Sequence, residues 1–282
     1  MPCVSRRFLL SAAALLATGA LAACSGGPES GDAGSSEGGS TLRVGASPSP
    51  HAEILSDFAA PRLAERGITL EVREYTDYLL PNQDVTAGEL DANYFQHINY
   101  LNNYNEENGT DLVSAGKVHF EPMGVFAGRS SDLASVPEGA TISVPNDATN
   151  EGRALLLLQE QGVITLAEDA GVTATPNDIV DNPHNVEFIE QEAAMLPSTL
   201  ADADFSVING NYFIDAGLTL DDSVAHESAD SEAIKNEYAN VIVTTPDKAE
   251  DERIAALVAA LTTDDFKAYL AETFGDAVQP AF

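Results

Sequence analysis

From Thr41 to Phe282 the chain alternates between short strand-like runs and helical patterns, and nothing else in it restricts the fold as strongly. Thr41 to Ala46 reads as a strand, followed by a helix from about His51 to Arg66. Ile68 to Tyr75 sets Ile68, Leu70 and Val72 against charged neighbours, the pattern of a half-buried strand. Gly116 to Ala127 is further strand material, broken by Pro122 and Gly124. Thr141 to Val144, Asn185 to Ile189, Phe205 to Ile208 and Val241 to Thr244 are short apolar or alternating runs, and Asp251 to Phe274 supplies two closing helices. Such alternation predicts an α/β protein with a largely parallel sheet. About 240 residues suit one large domain or two small lobes.

The residues ahead of this body have another purpose. Residues 1–23 combine Arg6 and Arg7 with an apolar run from Phe8 to Leu16 and a small-residue end, Leu21-Ala22-Ala23. This is a secretory signal, too short to span a membrane. Ser5-Arg6-Arg7 is a partial match to a twin-arginine signal. The segment Leu21-Ala22-Ala23-Cys24 resembles a bacterial lipobox, which implies cleavage before Cys24 and acylation of its thiol. Residues 24–40 then form a lipidated tether, since Ser25 to Ser40 holds only Ser, Gly, Ala, Pro, Asp and Glu and cannot build a core. Its reach is on the order of 20 Å. The protein is therefore expected on the extracytoplasmic face of the cell membrane, with no free thiol in its folded part.

With the signal removed, 11 Lys and Arg face 45 Asp and Glu, a net charge of −34. Such a field repels nucleic acid and anionic lipid. Five scattered His without Cys make no zinc set, and no acidic run has calcium-loop spacing, so no metal or cofactor is expected. Between Arg129 and Lys235 about twenty carboxylates surround a single cation, Arg153. It lies in Pro145-Asn146-Asp147-Ala148-Thr149-Asn150-Glu151-Gly152-Arg153, which reads as a strand end, a capping loop and the first turn of a helix. A guanidinium there, beside free N–H groups, suits a carboxylate ligand. The plain alternative is an exposed Arg paired with Glu151 or another nearby acid.

Three more loops follow predicted strands, where α/β proteins bind ligands. They are Tyr75-Thr76-Asp77-Tyr78, Asp91-Ala92-Asn93-Tyr94-Phe95-Gln96-His97 and Val207-Ile208-Asn209-Gly210-Asn211-Tyr212. Aromatic walls, Asn amides and one Arg together suit an amino acid. Singly, each aromatic could be packing, each Asn a cap and His97 a helix-terminal residue.

The ordered set Val44-Gly45-Ala46-Ser47-Pro48-Ser49-Pro50-His51-Ala52-Glu53-Ile54-Leu55, Asp77-Tyr78-Leu79-Leu80-Pro81-Asn82, Leu90 to His97, Pro145-Asn146-Asp147 with Thr149 to Leu155, Val207-Ile208-Asn209 and Asn240-Val241-Ile242-Val243 resembles the methionine-binding lipoprotein family (NlpA/MetQ type) of bacterial ABC importers. The resemblance spans essentially the whole body. It implies a two-lobed periplasmic-binding-protein fold with a ligand cleft between lobes, lobe 1 being 41–127 plus 242–282 and lobe 2 being 128–241. It also implies a monomer that captures methionine and delivers it to an ABC permease without chemistry. By position, Arg153 would hold the ligand carboxylate with Asn150 nearby. Asn209 and Asn240 would take its polar backbone, and Tyr78, Phe95 and His97 would line the thioether pocket. One departure is Gly124-Val125-Phe126-Ala127, where the family often carries Tyr in a Gly-Tyr-Ser segment. Two other readings stand beside this one: an extracytoplasmic enzyme on a small acid, for which no nucleophile or acid–base set is visible, and a surface role with a vestigial cleft. Another small amino acid is the alternative ligand.

Overall fold

The computed structural model of the protein describes residues 40–228 and 232–282. The signal, Cys24 and the tether up to residue 39 lie outside the described residues. The strands are β1 (Ser40–Ala46), β2 (Ile68–Glu74), β3 (Ala92–His97), β4 (Val113–Phe120), β5 (Gly124–Ala127), β6 (Thr141–Pro145), β7 (Thr165–Leu166), β8 (Ile179–Asp181), β9 (Glu187–Gln191), β10 (Phe205–Ile208), β11 (Ser223–His226), β12 (Asn240–Thr244) and β13 (Gln279–Pro280). They form a six-stranded sheet in the order β13-β4-β12-β3-β1-β2 and a five-stranded sheet in the order β11-β5-β10-β6-β9. A small β7-β8 pair stands apart.

Each sheet gathers its own core, and the folded body is two-lobed. In the first, Leu42, Val44 and Tyr94 pack with Leu55 and Phe58 from the segment after β1 and with Leu257 and Phe266 from the closing helices. In the second, Ile142, Val144 and Val207 pack with Leu155 and Leu158 of the helix Ala148–Glu160. β3 is buried along its whole length, as expected of a strand covered on both faces.

The expectation of a largely parallel sheet needs correction. In the two large sheets only β1-β2, β1-β3, β10-β6 and β6-β9 are parallel; their five other neighbour pairs are antiparallel. The antiparallel members include the strands flanking the points where the chain changes sheet. It leaves the first between Phe120 and Gly124 and returns between His226 and Asn240. β5 thus pairs within the second sheet, and β12 belongs to the first from Asn240 onward. The expected lobe limits, at 127/128 and 241/242, fall a few residues along the chain from these crossings.

Candidate functional site

The carboxyl ends of β3 and β10, the amino end of the helix Ala148–Glu160 and the start of β12 converge on a small cavity. It is lined by residues of both lobes, among them Tyr78, Phe95, His97, Asn150, Arg153, Asn209 and Asn240. All seven residues expected from the sequence therefore meet at one place. Gln96, Tyr100, Glu121, Gly210 and Asn211 complete the lining.

The helix bearing Asn150 and Arg153 starts where Asp147 caps it, accepting from the Asn150 backbone N–H at 3.0 Å. This places Arg153 in the second turn instead of the first, so the helix dipole bears on it less than expected. Nor is it an exposed partner of Glu151. Arg153 is buried and donates from Nε and Nη2 to the Glu227 carboxylate, at 2.8 and 2.6 Å. Nη2 also donates to the Glu121 carbonyl at 2.8 Å, and the guanidinium lies 4.2 Å from the Tyr238 ring centre. Burial works against the Arg153 charge, but Glu227 more than offsets it and raises the Arg153 pKa. Nη1 is in none of these bonds.

The amides are oriented by the same accounting. His97 caps the helix Ile98–Asn108, its Nδ1 accepting from the Tyr100 N–H at 3.1 Å. Its proton is then on Nε2, which donates to Asn150 Oδ1 at 3.1 Å. Burial and the nearby Arg153 charge lower the His97 pKa to about 3, so the ring is neutral. Both readings of this residue hold at once, cap and cavity wall. Asn150 Oδ1 also accepts from Asn209 Nδ2 at 2.7 Å, while its Nδ2 donates to Asp147. Asn150 thus has little left for a ligand and positions its neighbours. Asn209 Oδ1 is buried and, among the described residues, has no hydrogen-bond partner. Asn240 Oδ1 accepts from His51 Nε2 at 3.1 Å, leaving the Asn240 Nδ2 group to donate.

Tyr78 lies 5.8 Å from Phe95 and 5.7 Å from Tyr100, ring centre to ring centre, forming an aromatic wall. Its hydroxyl donates to Asn211 Oδ1 at 2.5 Å, and Tyr212 donates to the Thr76 carbonyl at 3.1 Å. With His97–Asn150, these hydrogen bonds join loops of the two sheets. Phe126, where the family resemblance departs, packs with Phe213, Ile208 and Leu196 in a core cluster.

Sequence reasoning missed Glu121 and Glu227. Glu121 is buried, and its Oε1 lies 2.5 Å from His119 Nε2 and 3.4 Å from His51 Nε2. Ligand atoms of these three side chains lie within 4.8 Å of one another, the one metal-like set among the described residues. At 2.5 Å, however, His119 and Glu121 share a proton, since two ligands of a zinc ion stand roughly 3 Å apart. Burial lowers the His51 pKa to about 4 and the His119 pKa to about 3. The Glu121 pKa is raised by burial, against the pull of His51 and Arg153.

Residues 42–282 match the NlpA lipoprotein family. The methionine-binding lipoprotein MetQ of Bacillus subtilis is 36% identical over 281 residues, 98% of each chain. A nutrient binding protein from Burkholderia cenocepacia, solved bound to methionine, is 36% identical with a TM-score of 0.80, covering 86% of this chain and 100% of its own. An ABC transporter periplasmic substrate-binding protein from Coxiella burnetii is likewise 36% identical, with a TM-score of 0.78, covering 85% and 100%.

Proposed function

This chain belongs to the NlpA lipoprotein family, and from that premise we propose that it is a lipid-anchored solute-binding protein that captures methionine and hands it to an ABC permease. One observation carries the ligand class: a cavity whose lining combines free donors, a free buried acceptor and an aromatic wall. Arg153 Nη1 and the Asn240 amide offer donors for a carboxylate, while Asn209 Oδ1 is a buried acceptor awaiting an ammonium. Tyr78, Phe95 and the carbon edge of His97 wall the space for a thioether, a contact worth up to about 1.5 kcal/mol.

Because Glu227 already holds the Arg153 fork, the ligand acid would use the remaining Nη1 edge rather than a two-pronged grip. Capture works by closure of the two lobes over the solute, which favours the closed state only by its extra affinity for it. The ligand leaves unchanged, and Cys24 keeps the monomer on the extracytoplasmic face of the membrane.

Isothermal titration of the mature protein with L-methionine tests this reading, together with mass spectrometry of any solute that co-purifies. Saturable 1:1 binding without turnover is expected, and Arg153→Ala should abolish it while circular dichroism remains native. Retained affinity in that variant would remove Arg153 from the site. Consumption of the amino acid would favour an enzyme instead.

A further inference from the structure

Glu121 occupies an unusual position on the cavity wall. Arg153 is paired with Glu227, so the lining's other acidic group is Glu121. Among the described residues its ion-pair distances are to His51 and His119 alone, with no Lys or Arg. Both imidazoles are buried at 0% exposure and are neutral. The Tyr94 hydroxyl holds His119 Nδ1, which leaves the Nε2 proton to point at Glu121 Oε1. The two His residues and the Asn211 N–H therefore fix the carboxyl group without an ion-paired cation, and Arg153, already held by Glu227, acts on it only from beyond ion-pair distance.

The other side of the carboxylate is set by Gly210. A Cβ at that position would stand 2.4 Å from Glu121 Cβ and 2.7 Å from Oε2, so the close approach needs a residue with no side chain. Gly210 follows Asn209, whose Oδ1 is buried without a partner. The lining thus presents two acceptors, a carboxyl group and an amide oxygen. Arg153 Nη1 and Asn240 Nδ2 present donors in the same lining. A neutral hydroxyl brings one proton to two acceptors and no charge. An ammonium brings three protons and the missing cation.

We infer that Glu121 is the specificity-determining residue for the ligand's amino end, restricting the cavity to α-amino acids with a free, protonated amine. N-acylated amino acids and the corresponding 2-hydroxy acids are rejected because either one leaves the buried carboxylate without a counter-ion. This rests on the amino-acid reading proposed above and extends it to a group that reading did not use. Gln at this position keeps size and hydrogen bonding but removes the charge.

The test compares three ligands by calorimetry at pH 7: L-methionine, N-acetyl-L-methionine and the 2-hydroxy analogue of methionine. The wild type should prefer methionine to the hydroxy acid by about 100-fold, the range of a buried charge-assisted pair. In Glu121→Gln methionine should weaken by about 100-fold while the hydroxy acid changes less than about threefold, collapsing the preference. Should Glu121→Gln not fold by circular dichroism, Glu121→Asp provides the second arm. It keeps the charge, and the preference must survive at reduced affinity. A wild-type preference retained in Glu121→Gln, or lost in Glu121→Asp, would overturn the assignment alone. Failure of the wild type to bind methionine at all would instead overturn the function proposed above, and this inference with it.

Discussion

Arg153 and Glu227, 74 residues apart in sequence, form a buried two-bond ion pair at 2.8 and 2.6 Å. Breaking such a pair from one side leaves an uncompensated charge in the interior, at about 3–5 kcal/mol. Glu227→Ala should therefore unfold at markedly lower denaturant, and the double variant Arg153→Ala/Glu227→Ala should recover part of that loss. A double variant whose loss equals the sum of the two single losses would mean the pair contributes no coupling. The Glu227 carboxylate also accepts from the Met123 N–H at 2.8 Å, which makes the single change the more damaging.

Gly152 offers a backbone test beside the site. A Cβ there would stand 2.3 Å from the Val172 carbonyl oxygen and 2.8 Å from the Ala174 nitrogen, both main-chain atoms. Gly152→Ala should cost about 1–3 kcal/mol of stability and weaken ligand binding by moving Arg153. Urea titration and calorimetry on one preparation would measure both; an unchanged midpoint would show that the 172–174 loop yields freely.

Glu151 should make the protein sensitive to mild alkali. Its pKa is raised to about 7 by burial and by Glu190 and Asp147, and its Oε1 has no partner among the described residues. A carboxyl held above its unfolded value of about 4.3 costs nothing below that pH. The cost appears as pH rises from there to 7 and stays above it. Glu151→Gln should raise Tm at pH 8 and leave it unchanged near pH 4. A gain of the same size at both values would contradict this sign.

The three buried histidines act in the opposite direction. His51, His97 and His119 have folded pKa values of about 4, 3 and 3, below the unfolded value near 6.5. Folding then favours their neutral forms. That contribution is complete above pH 6.5 and is lost as pH falls toward 4, by up to about 1.4 kcal/mol per pH unit for each ring. Urea midpoints across pH 4 to 7 should fall on the acid side, with a shallower slope for His119→Gln.

Much of the site was legible in the sequence because its residues come in local runs. Phe95 and His97 end a strand, Asn150 and Arg153 start a helix, and Asn209 closes an apolar strand, so spacing and turn chemistry already pointed to ligand-facing loops. Tyr78 lies in a loop singled out the same way, and Asn240 came through family resemblance. Glu121 and Glu227 were not legible, because their significance lies in partners met only after the chain changes sheet, and a lone Glu among 45 acids carries no local signal. The histidines illustrate the same limit. Scattered along the chain, His51 and His119 looked unrelated until tertiary contact placed both against one carboxylate oxygen. The parallel bias was misread for a related reason: strand direction at a crossing is set by where the chain must return, which periodicity does not encode.

The two connections between the lobes each supply Arg153 with a partner, the Glu121 carbonyl on the outgoing strand and the Glu227 side chain on the returning one. Any rotation of one lobe against the other must turn about those connections, so the guanidinium sits at the fulcrum. A small adjustment of its grip would be carried along the lever arm to the distant rims. A transporter could read occupancy from that far displacement without ever touching the solute.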